Sequence, residues 1–550
     1  MKSSRKWIYS FVYLMTVFIF GCDRTEKADI IFHNGKIYTL DNQFTIAEAM
    51  AVKEGKIIAI GPEREILNKY TADTIIDLRK FTVFPAWHDA HGHLTGMALQ
   101  LLQCDLTGCR SIEEVIVRLK EYDRKNPGQS WLLGRGWDQN LWQDSEFPTA
   151  ASLDSVFDKI PVFLTRIDGH AAWVNTKAMQ LAGIDKNSKI EGGQILFDKN
   201  NKPTGILLDN AMELVKKIIP QPEEKTLSRA LTAAAWQCLN HGVAYVHEAG
   251  ATLQVIHLLD SLVQSGIIPL RVYAMAALNQ ENLYYFLKNG KIEKNGLKVR
   301  SMKIYADGAL GSRGALLKKD YSDFPGHRGI LIISADSLYS LCRLMDSIGF
   351  QVCTHAIGDS AVGLVLNAYG QVLQKVNDKR WRIEHAQIVD TADLKYFEKY
   401  SVIPSVQPTH LISDKTWAVN RLGHGRLIFA YPYQSLLHTN GMLPLGTDFP
   451  VEDINPLKTY YAAVFRKNYS GNDTIFFQSQ QLTKEQALRG MTIWPAIAAF
   501  WENETGSLEK GKNADFVVYD IDFTELKPEN FFSTKLKSLY ISGKEIPLKN

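Results

Sequence analysis

Two histidines, His91 and His93, stand one residue apart at the end of the run Phe84-Pro85-Ala86-Trp87-His88-Asp89-Ala90-His91-Gly92-His93. The run reads as a buried strand. Side chains two apart on a strand share a face, so His91 and His93 project together with Asp89 on the same face below them. Paired imidazoles at this spacing suit a zinc-type cation, whose nitrogen ligands lie about 2 Å away. With 14 histidines in 550 residues, such a pair also arises by chance. Its meaning rests on what other parts of the chain bring to the same place.

Further metal-competent residues follow at regular intervals, each at the end of a short apolar segment. Strand candidates are Val243–His247, Pro269–Tyr273, Met302–Tyr305, Gln351–His355, Trp381–His385, Val402–Val406 and Met442–Asp448. Longer helical stretches separate them, as in a parallel α/β fold. With the first strand they make eight, the number of a (β/α)8 TIM barrel. Lys303 lies on the fourth, and His355, His385 and Asp448 end the fifth, sixth and eighth. In a barrel, the C-terminal strand ends converge on one mouth. Each residue has a plainer reading: a histidine at a strand edge, a snorkelling lysine, an aspartate N-cap after Gly446-Thr447. A bare ammonium is no metal ligand. The ordered recurrence favours a site.

The elements around the barrel divide the chain. Residues 22–80 contain strand-like runs, including Asp29–Phe32 and Lys36–Thr39 around a tight Asn34-Gly35 turn. Residues 491–550 contain matching runs, Ala514–Asp520 and Ser538–Lys544. The two ends are expected to form one small antiparallel β-sandwich domain. Residues 81–490 form the barrel. The stretch at about 105–240 is too long for one connection and is expected to be an insertion after strand 1, with strands at Trp131–Gly134 and Pro161–Leu164.

Lys2, Arg5 and Lys6 precede an apolar run from Trp7 to Gly21 that is too short to span a bilayer. Residues 1–21 read as a secretory signal, with an uncleaved anchor as the alternative. These three cations account for the whole excess of 62 basic over 59 acidic residues. The remaining neutral body gives no support for nucleic-acid binding. Five cysteines besides Cys22 are too few for a disulfide scaffold; Cys104 and Cys109 are either a bridge or buried thiols. Nothing in the sequence sets an oligomeric state.

The chain resembles the amidohydrolase superfamily of metal-dependent hydrolases. Within it, the amidohydrolase-3 branch, which includes N-substituted formamide deformylases, is the nearest match. The motifs are Asp89-Ala90-His91-Gly92-His93, Asp168-Gly169-His170, Lys303-Ile304-Tyr305-Ala306-Asp307-Gly308-Ala309, Thr354-His355-Ala356-Ile357-Gly358-Asp359, Arg382-Ile383-Glu384-His385-Ala386-Gln387 and Gly446-Thr447-Asp448. The tail Thr505–Asp515 is similar too, and the resemblance covers nearly all of residues 28–545. His88-Asp89-Ala90 departs from the commoner apolar residue and Ser or Thr. The segment Ile19-Phe20-Gly21-Cys22 resembles a bacterial lipoprotein signal, which implies lipidation at Cys22 and a membrane-attached, extracytoplasmic body.

The resemblance implies one or two divalent metals, zinc by preference. His91 and His93 would bind the inner metal, His355 and His385 the outer, and an N-carboxylated Lys303 would bridge them. Asp448 would be both ligand and catalytic base, and a metal-activated hydroxide would attack a small-molecule amide or N-acyl amine. Substrate contacts are expected from Trp137, His170 and Asp307. Trp137 is either a wall for an apolar leaving group or a core aromatic, and the loop Asp307–Ser312 either covers the mouth or is an ordinary turn. A mononuclear deaminase is the alternative, although no Glu follows His355 closely. A lipoprotein that only binds a ligand is the remote one.

Overall fold

The computed structural model describes residues 25–471 and 473–548. Cys22 and the signal lie outside them. Seven parallel strands form the ring of the central sheet, β1 (Trp87–Gly92), β2 (Val243–Ala251), β3 (Arg271–Ala277), β4 (Leu297–Tyr305), β5 (Gln351–Ala356), β6 (Arg382–His385) and β7 (Ile403–Ser405), and the short strand Ile292–Lys294 pairs antiparallel with β4. The seven pair in chain order. Both faces of the sheet are covered, which is why β2 from Val243 to Ala249 is buried without alternation. Helices Leu253–Gln264, Gln280–Asn289, Ala335–Ser347 and Asp359–Leu373 return the chain between strands.

The expected eighth strand is not a regular one. From Leu443 to Phe449 the chain makes a single parallel bridge, between Val406 and Leu445. Pro444 lacks an amide hydrogen, and Asp448 takes a left-handed φ of 63°. The segment nonetheless nearly closes the barrel. Val406 donates to the Pro444 carbonyl at 3.0 Å and Gly446 to Val406 at 3.0 Å. On the other side Ala90 donates to Leu445 at 3.1 Å and Asp448 to His91 at 2.7 Å.

Between β1 and β2 lies a separate six-stranded sheet. Its order is Gly193–Phe197, Pro203–Asp209, Ala171–Val174, Val162–Arg166, Leu132–Trp137, Cys104–Asp105. The helix Glu224–Asn240 then packs on Leu94–Gln100 and leads into β2.

The chain ends build two more sheets. One orders Lys56–Gly61, Ala49–Lys53, Glu26–His33 and Tyr70–Asp77. The other orders Lys544–Ile546, Leu536–Ile541, Phe516–Tyr519, Thr82–Pro85, Lys36–Tyr38 and Ile46–Ala47, so both ends share it. Phe32, Met50 and Val52 of the first meet Ile37, Phe516 and Tyr540 of the second in one apolar cluster. The Asn34-Gly35 turn does not make the expected hairpin. Lys36 donates to Phe81 at 3.0 Å instead, so the strands on either side of the turn enter different sheets. The first sheet is also mixed rather than antiparallel, because Glu26–His33 runs parallel to Tyr70–Asp77. Cys104, Cys109, Cys238, Cys342 and Cys353 are all buried free thiols.

Candidate metal centre

His91, His93, Lys303, His355, His385 and Asp448 meet at the C-terminal mouth of the barrel. His93 Nε2 lies 3.0 Å and His91 Nε2 3.6 Å from Asp448 Oδ1, and Lys303 Nζ lies 3.3 Å from His91 Nε2. The His385 ring is 4.9 Å from that of His91 and 4.5 Å from that of His355. His355 Nε2 faces the Gly308 carbonyl at 3.5 Å and Asp307 Oδ1 at 3.6 Å, which leaves its Nδ1 as the ring atom for a metal.

Local backbone geometry aims these groups. His385 and Asp448 adopt φ values of 73° and 63°, a conformation that costs a non-glycine residue about 1–3 kcal/mol and collects at functional sites. Gly446 is required by close approach. A Cβ there would sit 2.5 Å from the His91 amide nitrogen and 2.9 Å from Asp89 Oδ1. Asp89 lies behind the metal-facing groups and is a brace. It accepts from the amides of His91 and Thr447 at 3.1 and 3.0 Å and from the Thr447 hydroxyl at 2.6 Å.

A buried ion pair backs His91. Glu384 Oε2 stands 2.6 Å from His91 Nδ1. Arg382 Nε lies 2.7 Å from Glu384 Oε1, and both side chains are completely buried. Burial opposes the charge on Glu384, but Arg382 and His91 outweigh it and hold the carboxyl well below its ordinary range. Glu384 thus fixes His91 with Nδ1 protonated and Nε2 free to ligate. Burial, helped by Lys303, lowers His91 to about 4, which keeps the ring neutral. Burial also lowers Lys303 to about 8 against the pull of Glu384 and Asp448.

The donor set fits a cation on this structure's own terms. His91, His93 and Asp448 place ligand atoms within 4.8 Å of one another, and so do His385, His410 and Asp448. Asp448 Oδ1 and His385 Nδ1 are buried without a hydrogen-bond partner. Buried polar atoms are rarely left so. Asp448 Oδ1 is close to two imidazoles yet bonded to neither, as suits atoms that face a shared ion.

His410 was absent from the residues expected at the site. Its Nε2 bonds Asp448 Oδ2 at 3.0 Å, and its Nδ1 lies 3.5 Å from Glu452 Oε1. It sits in the first turn of helix Pro408–Asp414, just past β7, so a search of strand ends passes it by. The signal was Gln407-Pro408-Thr409-His410, where proline at the first helical position marks a helix start.

A cavity of about 1260 Å3 opens over these residues and reaches the inserted sheet. His170 lines it. Its Nδ1 is 2.7 Å from Asp209 Oδ1 and its ring 4.9 Å from that of His355. Trp137 does not line it, so of its two readings the core aromatic holds and the leaving-group wall does not. Its indole is fully buried in an apolar cluster with Trp142 and Trp173, and its Nε1 donates to Leu164 at 2.9 Å. The reason is a bulge at Gly136, where the pairing with Val162–Arg166 shifts between Arg135 and Trp137. Without it the two side chains would share a face; with it Arg135 faces the cavity and Trp137 the core. Asp307 is likewise interior. It accepts from the amides of Leu316, Ile357 and Gly358 at 2.8, 3.0 and 2.8 Å, so it holds a loop rather than a substrate.

Residues 74–547 match the model of the Amidohydrolase family, Amidohydro_3. The chain belongs to that family. This amidohydrolase is 31% identical to the Bacillus subtilis protein YtcJ, itself named as an amidohydrolase, over 93% of this chain and 98% of that one. It is 25% identical to the N-substituted formamide deformylase of Arthrobacter pascens, over 94% and 98% of the two chains. Among solved structures, an uncharacterized metal-dependent hydrolase from Pyrococcus horikoshii superposes with a TM-score of 0.74 at 29% identity, over 91% of this chain and 99% of that one. The amidohydrolase is therefore a hydrolase of this superfamily with residues placed to bind metal.

Proposed function

We propose that this amidohydrolase cleaves the C–N bond of a small amide or N-acyl amine with the help of one or two zinc-type cations. The observation that carries the reading is Asp448, whose buried Oδ1 has no hydrogen-bond partner and stands beside two imidazoles. The name of the Arthrobacter relative, a formamide deformylase, supports the same bond class. His91, His93 and Asp448 would hold the inner cation, and His355 and His385 the outer, with Asp448 and His410 within reach. Lys303 is proposed to be N-carboxylated, which would add oxygen donors to help hold the cations. It is buried, and carboxylation replaces a repelling ammonium with two oxygens. A divalent cation there supplies Lewis acidity, which polarises a carbonyl and acidifies water.

The chain's own residues do the rest. Asp448 accepts the proton of the attacking water and returns it to the departing nitrogen. His410 holds Oδ2 so that Oδ1 stays turned inward. His170, oriented by Asp209, bonds the substrate carbonyl. The test is a screen of amides and N-acyl amines on zinc- and manganese-loaded protein, with metals counted per chain. Chelator-sensitive hydrolysis is expected, with Asp448→Asn inactive but still holding most of its metal. An active Asp448→Asn variant refutes the assignment.

We also propose that the protein is anchored by lipid at Cys22 and faces an extracytoplasmic space. The support is the sequence of residues 1–22. Among the described residues no helix is long and apolar enough to cross a membrane. Cys22→Ala is expected to move the protein from the membrane to the soluble fraction, and unchanged membrane attachment overturns the idea.

A further inference from the structure

Arg135 is a cation in the cavity wall that has no salt-bridge partner among the described residues. It lies on the inserted strand Leu132–Trp137, and the Gly136 bulge turns it towards the cavity. Its Nη2 donates to the Ile167 carbonyl at 3.1 Å, while its Nε is buried and has no partner. Asp168 and Asp448 attract it from a distance, but Asp168 and the other carboxylates around it are bonded elsewhere. Arg166, one strand away, pairs with Asp138 and with Asp168, the latter at 2.5 Å. Asp168 also accepts from the His170 amide at 3.0 Å, and Asp209 is bonded to His170. Across the cavity, Glu248 accepts from the Leu94 and Thr95 amides, and Glu452 from the Ser413 hydroxyl.

Position adds to this. The guanidinium packs under Gly169, where a Cβ would touch both Nη atoms at 3.7 Å. Gly169 precedes His170, whose ring neighbours His355. The unpaired fork therefore sits on the insertion side of the mouth, one residue from a group that faces the metal ligands. Arg135 is half-buried, and a guanidinium partly withdrawn from water gains from a charged acceptor; burial lowers its pKa against the pull of Asp168 and Asp448. A planar carboxylate is the acceptor that matches two parallel N–H groups.

We propose that Arg135 binds a carboxylate on the substrate, so that the preferred amides are anionic, such as N-acyl amino acids. This rests on the amide-hydrolase reading above. It is tested with matched pairs that differ only in the carboxylate, N-formyl- and N-acetyl-phenylalanine against N-formyl- and N-acetyl-phenethylamine. Two readouts are taken on metal-loaded protein: kcat/KM for each, and calorimetric binding of the acids and neutral amides to the inactive Asp448→Asn variant. The expected result is at least a 30-fold preference for the acid in both readouts. Arg135→Gln should collapse that preference to within threefold, and Arg135→Lys, which keeps the charge but not the fork, should leave an intermediate ratio. Circular dichroism confirms folding, and the lysine variant serves if the glutamine variant fails to fold. Equal handling of the two members, or no binding of either, overturns the proposal. Hydrolysis without preference would leave the amidase reading standing and sink this one. Arginine-dependent binding of the acid without hydrolysis of any amide would do the reverse.

Discussion

Glu384→Gln isolates what the buried Arg382–Glu384–His91 chain contributes. The substitution keeps the shape and removes one charge. Arg382 would remain fully buried, with bonds to the Ala90 carbonyl at 2.6 Å and the Ser405 hydroxyl at 2.9 Å but no carboxylate. Stranding one member of a buried pair costs about 3–5 kcal/mol. The second effect is on His91, whose Nδ1 would lose its anionic acceptor at 2.6 Å. Outer-shell partners of this type are worth about 10–100-fold in metal affinity, or roughly 1.4–2.8 kcal/mol. The assays are urea denaturation followed by tryptophan fluorescence and zinc competition against a chelator of known affinity. The two effects separate in the double variant Arg382→Met, Glu384→Gln. Removing the stranded cation should recover much of the stability but none of the affinity. Parent-like zinc affinity in the single variant, within threefold, would refute the tautomer argument; recovery of affinity in the double variant would refute its separation from stability.

Gly446→Ala should displace the His91 backbone, because the new methyl group meets an amide nitrogen at 2.5 Å; a lower denaturation midpoint together with weaker zinc binding is expected, and parent-like values for both would contradict it. His410→Asn should lower kcat by about 10–100-fold, the range for groups that orient a ligand, with little change in KM; an unchanged kcat removes His410 from the mechanism. The chain-end sheets carry a pH dependence through Asp522, which accepts from Lys36 at 2.6 Å and Tyr38 at 2.8 Å. Burial raises its pKa, but those bonds and Thr524 outweigh it and leave the folded value below the ordinary 3.8. A carboxyl depressed on folding contributes stability that is fully present above its unfolded pKa and fades as the pH falls through the folded one. Asp522→Asn should therefore be less stable than the parent at pH 7, and its stability should fall less steeply below about pH 4; parallel stability–pH curves would refute this.

Much of the candidate site was legible because its metal-competent residues lie at or just past the ends of apolar strands, where sequence spacing and spatial convergence coincide. His91, His93, His355 and His385 follow this rule. His410 does not, because it reaches the mouth from a helix. Trp137 could not be assigned between cavity and core, because strict alternation would put it beside Arg135 and only the bulge at Gly136 parts them. The hairpin expected at Asn34-Gly35 failed for a related reason: the turn residues allow a reversal, but the partner of Lys36 is Phe81, far along the chain. The run Met442–Asp448 likewise read as a strand, whereas Pro444 and the left-handed Asp448 leave it one bridge.

That irregular segment would give a metal-loaded site a mechanical role. His91 comes from the first strand of the ring, His93 from just past its end, and Asp448 from the stretch that meets it, joined by a few backbone bonds such as Asp448 to His91. A cation gripped by all three would fasten the barrel's two ends like a clasp on a bracelet. Metal loading would then be a structural event, and amide hydrogen exchange along Leu443–Phe449 would report it directly, with no substrate needed.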